Sequence, residues 1–361
     1  MSDLHVEEAF AWAARWATLE PQPLHVDPEH RWRIRSSFQK ACRRGQSDRA
    51  VKMVLSLHRL DPRYAWRSLL TVAIEDIGIG APDVVLWATA AQRVRFRQTV
   101  GELSLLIGLT RRMAASIKSR SAIELSFVTE TGEPEVFRLF GSMTTDQLLS
   151  RYEGADLYEA YAALAVLRGI VPKCYRIRPP DQPGLMAICE MLGDQMEPEM
   201  ARAAHAALLH PLDEMSLGFV VAARLNTDWT ARHDNMPLSC MIDGYPAETF
   251  DQHERLGRQA IGRFTKSLVI SSPELSRLSP SKAQKAVADA VFVVEGQCLD
   301  RWAGGGDFDR IRHEADRYAL TRHGLTAEEG QKAQAAVFEA LDVLHDIRAV
   351  VVTAAILGQA S

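Results

Sequence analysis

Cysteine is scarce and scattered: Cys42, Cys174, Cys189, Cys240 and Cys298 lie far apart in 361 residues, without a C-x-x-C pair. An odd, dispersed set of this kind excludes a disulfide framework and a zinc cluster, and predicts reduced thiols buried as small hydrophobes. Long apolar runs are also missing. The longest, at residues 349–357, contains Thr353 and is too short for about 30 Å of hydrocarbon, so no membrane span is expected. The first eight residues carry Asp3, Glu7 and Glu8 where a secretory signal would have a basic start and an apolar run, which points to a cytoplasmic protein. Nowhere does G-x-x-x-x-G-K-[ST], H-x-x-x-H or G-x-S-x-G occur. The run Gly304-Gly305-Gly306 lacks the strand, lysine and hydroxyl of a phosphate loop and reads as a turn. These absences leave no cofactor and no metal to expect.

What is present is an ordinary globular composition, with 47% hydrophobic and 24% charged residues. A chain of this length exceeds the usual single core, which predicts two packed lobes. The net charge of −4 hides an asymmetry. Residues 30–120 hold 18 Lys and Arg against 6 Asp and Glu, a balance of +12, so the rest of the chain carries −16. Segregation of this kind implies a polyanionic partner or an acidic lobe lying against a basic one.

Apolar residues recur at spacings of three and four along most of the chain, the signature of helices, and the fold class expected is mainly α, a helical bundle of two packed lobes. The clearest helix covers residues 61–77. Asp61 caps it, Pro62 suits its first turn, and Trp66, Leu69, Leu70, Ala73, Ile74 and Ile77 form one stripe. Gly78 then ends it, with Pro82 beyond. Residues 123–129 and 135–140, rich in β-branched and aromatic side chains about Glu130-Thr131-Gly132-Glu133, predict a small β-hairpin near 123–140. The expected organisation is therefore a basic helical region at 1–121, a β-hairpin connector at 122–142 and an acidic helical region at 143–361. In the last, Thr144 with Gln147 has the spacing of a capping box, and Ser279-Pro280 and Thr326 with Glu329 mark further helix starts.

One segment carries a resemblance. It runs Ser36-Ser37-Phe38-Gln39-Lys40-Ala41-Cys42-Arg43-Arg44-Gly45, then Asp48-Arg49-Ala50, then Leu60-Asp61-Pro62-Arg63-Tyr64. It continues through Trp66-Arg67-Ser68-Leu69-Leu70 into Ala73-Ile74-Glu75-Asp76-Ile77-Gly78, with a weaker echo at Lys118-Ser119-Arg120-Ser121. Residues 36–124 resemble the C-terminal helical collar of the replication-associated recombination ATPases of the RarA or MgsA type, relatives of the clamp loaders. The resemblance implies self-association, as a tetramer, and a role beside DNA. It departs from that family in having no Walker A motif, so the chain reads as a collar without its motor.

Lys40, Arg43, Arg44, Arg49, Lys52, Arg111, Arg112, Lys118 and Arg120 are the candidate phosphate contacts; they would position a nucleic acid without reading its sequence. The structural alternative for the same residues is a solvated basic face. Glu75 and Asp76 sit where a helix dipole disfavours negative charge, so partners are expected from Arg63, Arg67 or an incoming helix N-terminus. With Gly78 they form the candidate oligomer or structural set. Asp251, His253 and Arg255 are the weak catalytic candidates, an acid-base or metal-assisted hydrolase, although on a helix Asp251 and Arg255 would simply pair. The sequence thus favours a non-catalytic, self-associating accessory protein of DNA replication, recombination or repair, of a phage or mobile element. The alternatives are a module that docks on or inhibits a replication AAA+ ATPase, and a hydrolase centred on His253.

Overall fold

Helices form along nearly the whole chain, from Asp3–Trp16 to Leu341–Ile356. The computed structural model describes residues 3–16, 30–132, 135–170, 180–209, 214–224, 230–303 and 306–358, and it bears out the mainly α expectation. The Gly304-Gly305 part of the glycine run lies outside the described residues, as does Cys174. No helix among the described residues is long and apolar enough to cross a membrane.

Contacts divide the described residues into two compact units. The first draws on Met1–Glu20, Trp66–Arg232 and Asp300–Ala315, the second on Pro21–Ala65, His233–Leu299 and Asp316–Ser361. The chain interleaves them, so the expected contiguous boundaries at 121 and 142 do not coincide with the division.

In the second unit, helices Arg31–Arg43 and Ser47–Leu60 pack as a hairpin about the short turn at Arg44–Gln46. Asp61 caps the next helix as the sequence predicts, its carboxylate accepting from the Tyr64 N–H at 3.0 Å. Helix Pro62–Val72 then widens into a π turn over Ala73–Ile77 before Gly78 stops it, where a continuous α-helix to Ile77 was the expectation. The capping boxes read at Thr144/Gln147 and Thr326/Glu329 both form.

The hairpin expected near 123–140 is helical. Ser121–Gly132 and Glu135–Phe140 are α-helices, and Glu133 lies outside the described residues. The period explains it: Ala122, Leu125, Ser126 and Thr129 are buried, at spacings of three and four, and Phe137 and Phe140 repeat the interval. Branched and aromatic residues biased the reading toward strands, and packing decided otherwise. The hairpin of this fold is Met241–Ile242 paired antiparallel with Tyr245–Pro246. Its turn, Asp243-Gly244, has both residues at positive φ, 49° and 76°, the Asp-Gly signal of a two-residue hairpin. A second pair, Thr230–Arg232 with Arg301–Ala303, belongs to the first unit.

Helix Ser121–Gly132 packs on Glu214–Ala222 through Gly218, where a Cβ would stand 2.1 Å from the Ala122 carbonyl oxygen. Alanine is the better helix former by about 1 kcal/mol, yet here the clash with backbone outweighs it. Gly218→Ala is expected to destabilise the protein by about 1–3 kcal/mol, read as a lower urea midpoint in circular dichroism.

Candidate functional site

The most concentrated polar chemistry lies in the second unit. Ser36, Lys40 and Arg44 follow one another at intervals of four along and just beyond helix Arg31–Arg43, so they share one face. That face is buried: Ser36, Lys40 and Arg44 are all under a tenth exposed. Opposite stand Glu248, in the 3-10 turn Ala247–Thr249, and Asp251, just after it.

Asp251 collects donors from three directions. Ser36 Oγ donates to its Oδ2 at 2.7 Å, Lys40 Nζ lies 3.0 Å from the same oxygen, and the His253 N–H reaches Oδ1 at 2.9 Å. Trp32 Nε1 donates to Oδ1 at 3.3 Å. Lys40 also donates to Ser36 Oγ at 2.9 Å and to the Glu248 carbonyl oxygen. Burial pushes the Asp251 carboxyl up, but the Lys40 charge and the hydrogen bonds from Ser36, His253 and Lys40 outweigh it and hold the carboxyl at about 2.

Arg44 continues the chain of charges. Its guanidinium pairs with the Glu248 carboxylate, which also accepts from Ser239, and donates to the Glu295 carbonyl oxygen at 3.4 Å. The Glu295 side chain in turn receives both terminal nitrogens of Arg348, at 2.5 and 2.9 Å, with His345 Nε2 3.6 Å away. Burial raises the Glu295 carboxyl; the Arg348 charge and the hydrogen bonds from His345 and Arg348 reverse that and hold it well below the carboxylate range. The network therefore ties the hairpin helix Arg31–Arg43, the 247–251 segment, the end of helix Pro280–Glu295 and helix Leu341–Ile356. Charges buried this completely are tolerated because each is matched, and removing one partner strands the other.

The catalytic candidates do not converge. Residues 251–254 precede the helix that starts at Arg255, so the one-turn geometry that would pair Asp251 with Arg255 does not exist. Asp251 pairs with Lys40 instead. The His253 ring is exposed and lies 5.4 Å from the Trp32 ring, centroid to centroid, while Arg255 faces outward. Glu254 caps the helix through Gly257 N–H at 2.7 Å. Among the described residues no cluster of three His, Cys, Asp or Glu is arranged to hold a metal ion.

Most of the candidate phosphate contacts are spent inside. Lys40, Arg43, Arg44 and Lys118 are buried, Lys118 completely, its ammonium donating to the Ala114 and Ser116 carbonyls at 2.7 and 2.6 Å. Arg112 Nε holds Asp83 at 2.9 Å. Arg49 is half-buried and donates to Gln46 at 3.1 Å, and Lys52 and Arg111 are half-buried too. Arg120 lies 3.6 Å from Asp76, which is fully buried. The partner of Asp76 is thus Arg120, where Arg63, Arg67 or an incoming helix N-terminus was the expectation; Arg63 and Arg67 are exposed and Glu75 is half-buried.

That last contact brings together, within the first unit, two of the segments that carry the resemblance. Gly78 has φ 49°, and a Cβ there would stand 2.8 Å from the Ser119 carbonyl oxygen. Ser119 N–H donates to the Ile77 carbonyl at 3.1 Å, and the Lys118 backbone exchanges hydrogen bonds with Asp300 and Trp302 at 2.9 and 2.7 Å. Nearby, the Arg301 guanidinium pairs with the buried Glu124.

Glu248, Glu295 and Arg348 escaped sequence reading. The trace they leave is a charge set against an apolar run, Glu295 directly after residues 290–294 and Arg348 directly before residues 349–352, a pattern that marks a buried pair. No protein-family model, curated protein or solved structure matches this chain.

The depressed Asp251 carboxyl makes the network acid-sensitive. Its folded value lies below the ordinary 3.8, so its contribution of roughly 2 kcal/mol is complete above pH ~4 and is lost as pH falls through ~2. Asp251→Asn, which leaves Lys40 buried without its counter-charge, is expected to cost about 3–5 kcal/mol at neutral pH and to flatten stability across that acid window in urea titrations.

Proposed function

We propose that this chain is a non-catalytic, self-associating helical module that works beside DNA in replication, recombination or repair, a collar of the RarA or MgsA kind with no Walker A motif in these 361 residues. The observation that carries self-association is the outer face of helix Leu341–Ile356. Val343, Val350 and Leu357 are exposed at 45%, 59% and 63%, at intervals of seven, with half-buried Ile347 and Ala354 between them. Spacings of four, three, four and three are the a/d seam of a coiled coil, and a seam left in water is characteristic of a surface awaiting a second helix. Support for the collar reading comes from the close joint between Gly78 and Ser119, two residues of the resembling segments, with the buried Asp76–Arg120 pair beside it.

Affinity for DNA would rest on cations that remain outside, Arg63, Arg67, Arg93 and Arg95, more than on the block at 40–44. The alternative partner, a replication AAA+ ATPase, would engage the same apolar seam. A hydrolase at His253 gains no support, because Asp251 is paired with Lys40 and Arg255 faces outward.

Light scattering coupled to size exclusion tests this reading. The expected result is a species of higher mass than one 40.2 kDa chain, converted to monomer by Val350→Lys with no loss of helicity, and shifted by a short forked DNA at low salt but not at high salt. A wild-type monomer at tens of micromolar would end the self-association reading.

A further inference from the structure

Between helices Arg255–Ser271 and Pro280–Glu295 of the second unit lies a cleft of about 520 Å³. Its wall is organised around one carboxylate. Asp289 is 4% exposed, and Arg322 grips it with Nε and Nη2, both at 2.7 Å, while His323 Nε2 approaches at 2.8 Å. Bidentate pairing of this kind fixes the plane of a guanidinium. It also settles a competition: Lys285, one turn before Asp289 on the same helix, would ordinarily pair with it, but the carboxylate is already occupied from the other side.

Lys285 and Arg258 both line the cleft. Arg258 Nη1 donates to the His253 carbonyl oxygen at 2.9 Å, a neutral acceptor that orients the group and leaves its charge unmatched. Among the described residues no carboxylate lies within ion-pair distance of Arg258 or of Lys285. With Asp289 and Arg322 cancelling, the cleft keeps two positive charges in a concave site, beside the amides of Gln252 and Gln284 and the Ser281 hydroxyl. This is notable in the part of the sequence that is acidic overall.

We infer that this cleft is a binding site for a phosphate ester. A planar guanidinium held by backbone carbonyls, a mobile ammonium and hydrogen-bonding amides are the donor set that phosphate oxygens take, and a space of this size admits a phosphorylated small molecule as well as a backbone phosphate. The DNA reading above supplies one source of that phosphate, and the inference rests on it only to that extent.

The full chain is titrated with inorganic phosphate by calorimetry and with a labelled forked DNA by anisotropy at low salt, as wild type, Lys285→Glu and Arg258→Gln. Lys332→Glu, the same charge change on an exposed residue of another helix, serves as the control, and thermal melts establish that all variants fold. Each cleft variant is expected to weaken at least one probe about tenfold, with the control near wild type. Loss of both probes assigns the site to backbone phosphates. Loss of inorganic phosphate alone, with DNA unbound or unchanged, keeps the site and assigns it to small phosphate esters, whatever becomes of the DNA reading. Unchanged binding of both probes, no binding of either, or an equal loss in Lys332→Glu overturns the inference.

Discussion

Lys40 is buried, 3.0 Å from Asp251, and much of the second unit is arranged around the requirement that such a charge be matched. A buried ammonium without a partner is far costlier than any hydrophobic contact is worth, so the 247–251 segment must come to helix Arg31–Arg43. Arg44 imposes the same condition on Glu248, and Arg348 imposes it on Glu295. These contacts are specific in a way that apolar packing is not. Leucines tolerate a sliding helix, but a bidentate pair such as Arg348–Glu295 tolerates little displacement before both ions are stranded. The network thus acts as a register for four elements.

The same requirement explains how a strongly basic stretch of sequence contributes so little cationic surface. Of the charges counted at 30–120, Lys40, Arg43, Arg44, Arg97 and Lys118 are buried, and Arg112 and Arg120 are turned to Asp83 and Asp76. Arg97 stacks 4.9 Å over the Trp66 ring and pairs with Glu102. A charge count by segment is a sum over residues and carries no information about which of them face water. Conversely, the C-terminal part, acidic in total, concentrates Arg258, Lys285, Arg322 and His323 around one cleft, while Glu248, Asp251 and Glu295 are buried elsewhere.

What the sequence made legible was local. Helix starts with a named capping residue, at Asp61, Thr144 and Thr326, form as read, since capping chemistry is settled within four residues. The segment at 123–140 failed for the opposite reason. Its composition favours strands, and only its burial pattern, Ala122 to Thr129, reveals the helical period. Asp251 drew notice as part of a polar cluster, yet its partner proved to be Lys40, 211 residues away, and no spacing rule reaches that far. Asp289 and His323 drew none, because an acid in an alanine and valine helix reads as an ordinary surface charge until its partners are placed.

The interleaving of the two units also governs the order in which the protein can be made. As the chain leaves the ribosome, helices Arg31–Arg43 and Ser47–Leu60 are complete early, but the carboxylate that Lys40 needs is 211 residues further on. At about 5–20 residues per second that is a wait of roughly 10–40 s. Through this interval the hairpin holds a face with three polar side chains and no counter-charges, which must stay hydrated, and the second unit cannot close before Arg348 has emerged to meet Glu295. Its folding in this sense waits on helix Leu341–Ile356, which acts as the latch.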